Sequence, residues 1–387
     1  MIKKNILSAV IVLFTFFSNL SSAVPIVTGQ PVDVQHLGII DWPQDEAVVE
    51  PYLTQAAAND LNDLHGDVAC DVIISTPGNY HMALKDAMKG RPDLGHIGLQ
   101  TQVQLNAPAG TRISVCWSTS PPVAVEQIAN RTLQFKNLHL EGRPTLAVGP
   151  NGVMDQLILD DSVNLPSVAP LLTNKGNVIL IRAEKAGLIN NVCDLGGTTR
   201  VVTPNPVLEP GSFSNFSATI FDVANLNSLS CDATALFNSI FSQDISLFDL
   251  TALDNPYDIN AIMSVFGRGT SPQGNGAKWV ASSRIMHRDI PYALCNDQAD
   301  AAVIFYHQAT YLKKTLASSG CDLKIVPMGG TVANPQPVPG NKVGALKIAK
   351  VKGNFAPEIK SARTLIHDFL TTSPIWGQIL ADHGMTQ

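Results

Sequence analysis

CDVIISTPGNYHMALKDAMKG, running from Cys70 to Gly90, carries the local grammar on which the fold of this chain turns. Its first part, CDVIIST, is a short apolar run rich in β-branched residues and reads as a buried strand. Small and polar residues then turn the chain, and Met82, Leu84, Ala87 and Met88 recur at helical spacing. A strand followed at once by an amphipathic helix is the repeating unit of α/β proteins. The unit returns in RISVCWST, from Arg112, followed by PPVAVEQIANRT, where Pro121 and Pro122 mark a helix start. Farther on, NVILIRA from Asn177, TRVVTPN from Thr199, AAVIFYH from Ala301, LKIVPMG from Leu323 and ALKIAKV from Ala345 read as strands. Helices are predicted near FSATIFDVAN from Phe216 and APEIKSARTLIHDFLTT from Ala356. The alternation predicts an α/β fold with mainly parallel sheets. GTSPQGNGAK from Gly269 and ANPQPVPGNK from Ala333 read as connectors.

The N-terminus points to export. Lys3 and Lys4 precede an apolar run from Ile6 to Phe17, and Ser21 and Ala23 suit cleavage after Ala23. The run is shorter than the roughly twenty apolar residues a membrane span needs. Residues 1–23 therefore read as a signal peptide, and the expected location is periplasmic or secreted; the lack of a Cys at the cleavage point argues against a lipid anchor. Loss of Lys3 and Lys4 takes the formal net charge from −6 to −8, and the rest of the chain has no block of Lys or Arg, so nucleic acid is not an expected partner. The 364 residues after Ala23 exceed one hydrophobic core and predict two lobes. All six cysteines lie beyond the leader and no CxxC occurs, which predicts disulfides rather than thiol redox or zinc chemistry. Sequential pairing, Cys70–Cys116, Cys193–Cys231 and Cys295–Cys321, would keep each bridge inside one lobe.

No GxSxG nucleophile elbow, HExxH motif or glycine-rich phosphate loop is present, and no His pair has metal-ligand spacing. No enzyme activity, cofactor or metal is expected. His307, beside Tyr306, reads either as an acid or base or as an ordinary residue at a strand end. The chemistry in view is instead at strand ends, where Ser75, Thr76, Pro77, Gly78 and Asn79 follow one strand and Ser118, Thr119, Ser120, Pro121 and Pro122 end another. In open parallel sheets ligands bind at such carboxyl ends, beside helix N-termini whose free N–H groups suit anions. The same Ser and Thr residues could equally serve as helix caps.

From about Gly176 onward the chain resembles the type 2 periplasmic solute-binding proteins, and within them the molybdate-binding branch. GNVILIRA looks like the crossover into a second lobe, and DLGGTTRVVTPNPVLEPGSFSNFSATIFDVA like a strand, a proline-containing loop and a ligand-closing helix. NDQADAAVIFYHQATYL looks like the strand that ends in a ligand-facing tyrosine; LKIVPMGG, VGALKIAKVKG and SARTLIHDFLTTSPIWGQILADHGM resemble the return crossover and terminal helices. These blocks cover roughly half the chain. Two stretches depart from the family pattern: HLGIIDWPQDEAVV stands where its opening strand should be, and the segment from Glu141 to Lys175 reads as an insertion.

The resemblance implies a two-lobed fold, each lobe a mainly parallel sheet flanked by helices, joined by two crossover strands. Lobe I would comprise residues 26–175 and 341–387, and lobe II residues 176–340. It places Gly211 and Ser212 at the helix N-terminus that faces the ligand, Tyr306 at the ligand-facing tyrosine, and first-lobe contacts on Ser75 or Thr76 and Ser118 or Thr119, with Gly78, Asn79 and Ser120 beside them. Arg284, His287 and Arg288 in SSRIMHRD stand near the expected second-lobe ligand segment; one facing the cleft would suit an organic anion, since Arg offers a bidentate fork, while surface pairing with Asp289 or Glu209 is the other reading. The implied function is capture of a small polar or anionic solute by a monomer that serves an inner-membrane ABC-type transport complex. A secreted interaction or virulence-associated protein that reuses the fold without transport is the alternative.

Overall fold

The computed structural model of the protein describes residues 26–28, 30–31, 63–66, 71–120, 124–135, 138–141, 143–204, 209–227, 229, 231–241, 270–272, 278–281 and 286–387. The expected signal peptide (residues 1–23), Cys70, Arg284 and the HLGIIDWPQDEAVV stretch lie outside them.

In chain order, the short strands β1 (Ile26–Thr28), β2 (Gln30–Pro31) and β3 (Asp63–Gly66) precede β4 (Val72–Ser75), α1 (His81–Lys89) and α2 (Leu99–Asn106). Then come β5 (Val115–Ser120), α3 (Val125–Asn130), the hairpin of β6 (Thr132–Phe135) and β7 (Leu138–Glu141), β8 (Leu146–Gly149), α4 (Asn151–Leu159) and β9 (Ala169–Asn174). The chain crosses into β10 (Asn177–Arg182), β11 (Val201–Thr203), α5 (Pro210–Leu226), α6 (Ala233–Phe241), β12 (Thr270–Pro272) and β13 (Trp279–Ala281). After α7 (Met286–Cys295), β14 (Ala301–Phe305), α8 (Tyr306–Leu316) and β15 (Leu323–Pro327), it returns through β16 (Ala345–Lys350), α9 (Pro357–Thr372), α10 (Pro374–Asp382) and β17 (Met385–Thr386).

These elements make a two-lobed α/β protein. One sheet has the order β17-β9-β16-β8-β4-β5-β3 and the other β15-β10-β14-β11-β13-β2. Parallel pairing is confined to their centres, β5 with β4 with β8 and β14 with β11 with β13, with β2 continuing it at the second sheet's edge. The remaining described pairings of these two sheets are antiparallel, so both sheets are mixed: parallel pairing predominates in the second, as expected, and antiparallel pairing in the first. The physical reason is the double crossing: a chain that leaves one sheet for the other and later returns must lay its crossover strands against the grain of those formed first. The Glu141–Lys175 segment is no insertion. It supplies β8 and β9, which flank β16 inside the first sheet. At the other end, β2 pairs with β13, so the opening of the 26–175 range joins the second sheet.

Burial explains the apolar runs. Every residue of β4 is buried, as are the first five of β10 and all of β14, because helices cover both faces. The first sheet carries one cluster around Val72, Trp117, Leu346 and Trp376 and another around Ile73, Met154 and Val351. The second holds a single large cluster that includes Phe213, Phe216, Phe237, Trp279 and Ile304. Cys193 pairs with Cys231 and Cys295 with Cys321, at Cα separations of 5.5 and 5.3 Å, as sequential pairing predicts. Cys116 is also disulfide-bonded. Among the described residues no helix is long and apolar enough to cross a membrane.

One buried ion cluster gives this fold an acid limit. Asp300, its side chain 5% exposed, receives Arg200 Nη2 at 2.8 Å and Lys185 Nζ at 3.2 Å, and the Arg200 backbone N–H at 2.9 Å. Burial alone would raise this carboxyl, but the Arg200 and Lys185 hydrogen bonds and the guanidinium charge hold it down at about 2. Its unfolded value is near 3.9. The stabilisation is therefore complete above that value and is lost as pH falls through about 2, an effect on the order of 2 kcal/mol. Urea midpoints should show the gap between wild type and Asp300→Asn shrinking by about that much from roughly pH 5 to pH 1. A constant gap would remove Asp300 from the acid response.

Candidate functional site

Two chain crossings join the lobes, and asparagines hold them. β9 passes into β10 through Lys175 and Gly176 alone. Asn174, 3% exposed, accepts the backbone N–H of Gly176 and of Gly344, each at 2.9 Å, on one oxygen. Its amide nitrogen donates to the Tyr80 hydroxyl at 3.1 Å. Asn341, on the return crossing, accepts the Asn177 N–H at 2.8 Å and donates to the Asn177 carbonyl at 2.9 Å, copying a strand pairing with a side chain. Gly176 has φ +74°, and a Cβ there would lie 2.8 Å from Asn341 Oδ1, so the joint admits only glycine. The Asn177 side chain donates to Asn215 at 3.0 Å and Thr219 at 2.7 Å. Gly211 lies on the same stripe of α5 as Asn215 and Thr219 at i, i+4, i+8 spacing and is exposed, with Ser212 half-buried beside it in the first turn.

At this junction the carboxyl ends of a parallel strand from each lobe meet. β4 ends at Ser75, and Thr76 to Asn79 lead into α1; β14 ends at Phe305, and Tyr306 opens α8. His307 Nε2 donates to the Asn79 carbonyl at 2.9 Å, bonding one lobe to the other. The His307 ring stacks on Tyr80 at 4.8 Å and 18°, and Tyr80 also meets Phe305 at 6.1 Å. His81 lies 5.9 Å from His287 and edge-on to Tyr311 at 5.5 Å.

Several buried polar atoms here have no hydrogen-bond partner among the described residues: Thr76 Oγ1, Asn79 Oδ1, Asn177 Oδ1, His307 Nδ1 and both amide atoms of Gln308. Thr76 and His307 are fully buried and Gln308 is 1% exposed. Each orphaned buried group costs about 1–3 kcal/mol. Burial pushes His307 down to about 3, against the pull of its bond to Asn79 and aided by His383 and His81. The imidazole is therefore neutral. Burial likewise pushes the Tyr80 hydroxyl up to about 12, with the Asn174 bond working the other way.

Of the residues singled out in the sequence, Thr76, Gly78, Asn79, His287 and Tyr306 come together at this junction, and Ser75 is buried beside them. The Gly78 carbonyl accepts from His81 at 2.9 Å. Tyr306 begins a helix rather than ending a strand, and its hydroxyl donates to the Val332 carbonyl at 2.9 Å. Ser118, Thr119 and Ser120 close β5, which runs parallel to β4 and so ends at the same edge of the sheet. Arg288 lies within α7, while Arg284 is outside the described residues. Glu209 orders its own surroundings by accepting the Met286 N–H at 2.9 Å at the start of α7. His307 does not end a strand, and Gln308, Asn174, Asn177 and Asn341 had no role in the sequence reading. The signal available for the asparagines was the pair NKGN at 174–177 and GNK at 340–342, polar residues abutting apolar strands. Among the described residues no group of His, Cys, Asp or Glu could hold a metal.

No protein-family model and no curated protein matches the chain. Among solved structures it is similar to the periplasmic molybdate-binding protein of Azotobacter vinelandii, at 13% identity over 82% of this chain and 99% of that one, with a TM-score of 0.44. PEB3 of Campylobacter jejuni bound to L-phospholactate matches at 13% identity over 82% and 99%, with a TM-score of 0.43. The sulfate-binding protein SubI of Mycobacterium tuberculosis matches at 13% over 81% and 84%, with a TM-score of 0.42. The chain's own sheet order and junction define it as a two-lobed α/β protein with unpartnered buried polar groups where the lobes join.

Proposed function

We propose that this protein is an extracytoplasmic solute-binding protein of the type 2 periplasmic class, which captures a small polar or anionic solute between its lobes. The observation that carries this reading is the set of buried, unpartnered polar atoms contributed by both lobes where β4 and β14 end. A bound solute would satisfy them through neutral hydrogen bonds, given by Thr76 and the Gln308 amide nitrogen and accepted by Asn79, Asn177, His307 Nδ1 and the Gln308 amide oxygen. First-turn N–H groups of α5 at Gly211 and Ser212 are available for a negative oxygen. The two crossings, 174–177 and 341–344, act as the hinge, and solute draws the lobes together around it. Lobe I comprises residues 26–175 and 341–387 less the β1–β2 segment, and lobe II residues 176–340. An inner-membrane transport complex then receives the solute from the closed form.

The test is a thermal-shift screen of the purified protein across oxyanions, phosphorylated metabolites, amino acids and organic acids. One class should stabilise saturably, by about 2.7 kcal/mol at a hundredfold excess over its Kd. A screen in which no compound shifts the transition would defeat solute capture.

A further inference from the structure

His307 also says what kind of solute the site takes, given the solute-capture reading on which this rests. Its Nε2 meets the backbone carbonyl of Asn79 at 2.9 Å, and a carbonyl only accepts, so Nε2 carries the proton. The ring cannot turn over to exchange its nitrogens without breaking that bond, and it is stacked against Tyr80 and Phe305 at 4.8 and 5.4 Å. Nδ1 is left as a buried lone pair with no donor among the described residues. A second proton there would place a full positive charge in a fully buried ring, which burial opposes. Around it the orphaned set leans the same way, with acceptors on Asn79, Asn177 and Gln308 against donors on Gln308 and Thr76.

We infer that the captured solute carries its own O–H or N–H donor and gives it to His307 Nδ1. The site thus selects hydrogen phosphate, a hydroxy acid or a solute of like chemistry over a tetrahedral oxyanion that bears no proton. A bare oxyanion would set its lone pairs against that of Nδ1 and leave the nitrogen unsatisfied, whereas the donor-bearing solute completes it and still offers acceptors to Gln308 and Thr76.

Two matched pairs test this by calorimetry at neutral pH and constant ionic strength: phosphate against sulfate, and L-lactate against propionate. Within a pair that binds, the donor-bearing member should bind at least about tenfold tighter, the equivalent of one satisfied buried acceptor. Sulfate or propionate within about threefold of its partner would overturn the inference while leaving solute capture intact. For any other compound returned by the thermal-shift screen, nitrogen-15 NMR of the imidazole reads the same point: binding must move the Nδ1 resonance in the direction of an accepted hydrogen bond, and an unmoved Nδ1 overturns the inference. His307→Gln, whose amide can present either atom to the solute, should bring any phosphate or lactate preference to within about threefold. An undiminished preference would assign the selection to another group. If nothing binds in the screen, solute capture itself fails and this inference with it.

Discussion

Asn174→Leu should lower the stability of the protein by about 3 kcal/mol, a large effect for a single polar residue. Leucine keeps the branched shape of the side chain but removes an acceptor that serves Gly176 N–H and Gly344 N–H and a donor that serves the Tyr80 hydroxyl. Gly176 is buried, and its N–H would be left without a partner. The damage falls where two crossings from opposite lobes are tied by one amide, so each lobe feels it. In urea denaturation the midpoint should drop with the slope unchanged. A loss below about 1 kcal/mol would mean that water replaces the amide freely and that the crossings are held by something else.

Gly384→Val should be the most damaging change for lobe closure. Gly384 has φ +72°, a backbone region that β-branched residues rarely enter, and a Cβ there would lie 2.5 Å from Tyr306 Cε1. Gly384 adjoins β17 of the first sheet, while Tyr306 opens a helix packed on the second, so the clash acts between the lobes. The tyrosine has little room to yield: its N–H donates to the Gly176 carbonyl at 3.0 Å and its hydroxyl to Val332 at 2.9 Å. We expect a loss of about 2–4 kcal/mol from strain and overpacking, a larger radius of gyration in solution scattering, and at least tenfold weaker solute binding, the equivalent of about 1.4 kcal/mol. Adding Tyr306→Ala to Gly384→Val should recover part of the stability, because it removes the clashing ring. Wild-type compactness in the single variant Gly384→Val would show that the Tyr306 contact does not set the distance between lobes. Tyr306→Ala alone should weaken binding while the fold persists; unchanged affinity would take Tyr306 out of the site.

Much of the fold was legible because the interactions that form it are local or periodic. CDVIIST was legible as a covered strand because a short β-branched run bounded by turn residues suits a strand buried on both faces, and Val72–Ser75 are all buried. The helix after it was equally plain, with Leu84, Ala87 and Met88 buried in the core of the first sheet and Met82 also buried. Strand direction was not legible. The antiparallel placement of β9, β10 and β16 follows from where the chain crosses, a non-local event that leaves no trace in the pattern of a six-residue strand. For the same reason the Glu141–Lys175 segment read as an insertion. Its strand β8 has the same apolar character as any other, and only its neighbours β16 and β4 show that it is integral.

The candidate site divides along the same line. Thr76, Gly78 and Asn79 were found by a local rule, that polar residues after a parallel strand collect at its carboxyl end, and Tyr306 by resemblance. His307 and Gln308 escaped that rule because a buried His or Gln in a sequence is ordinarily a satisfied one, and whether Nδ1 has a partner depends on residues hundreds of positions away. By itself, the amino-acid order determined the alternation of strand and helix, which follows from spacing along the chain; its length pointed to two lobes through the limit on the size of one core, and sequential cysteine pairing was one of 15 connectivities, met by the structure at Cys193–Cys231 and Cys295–Cys321. Only the tertiary structure decided that Asn79 of one lobe would fix the tautomer of His307 in the other, 228 positions apart, and so leave a bare buried acceptor between them. A hydrogen bond is directional and short, and no periodicity in a sequence encodes which two distant atoms will stand 2.9 Å apart.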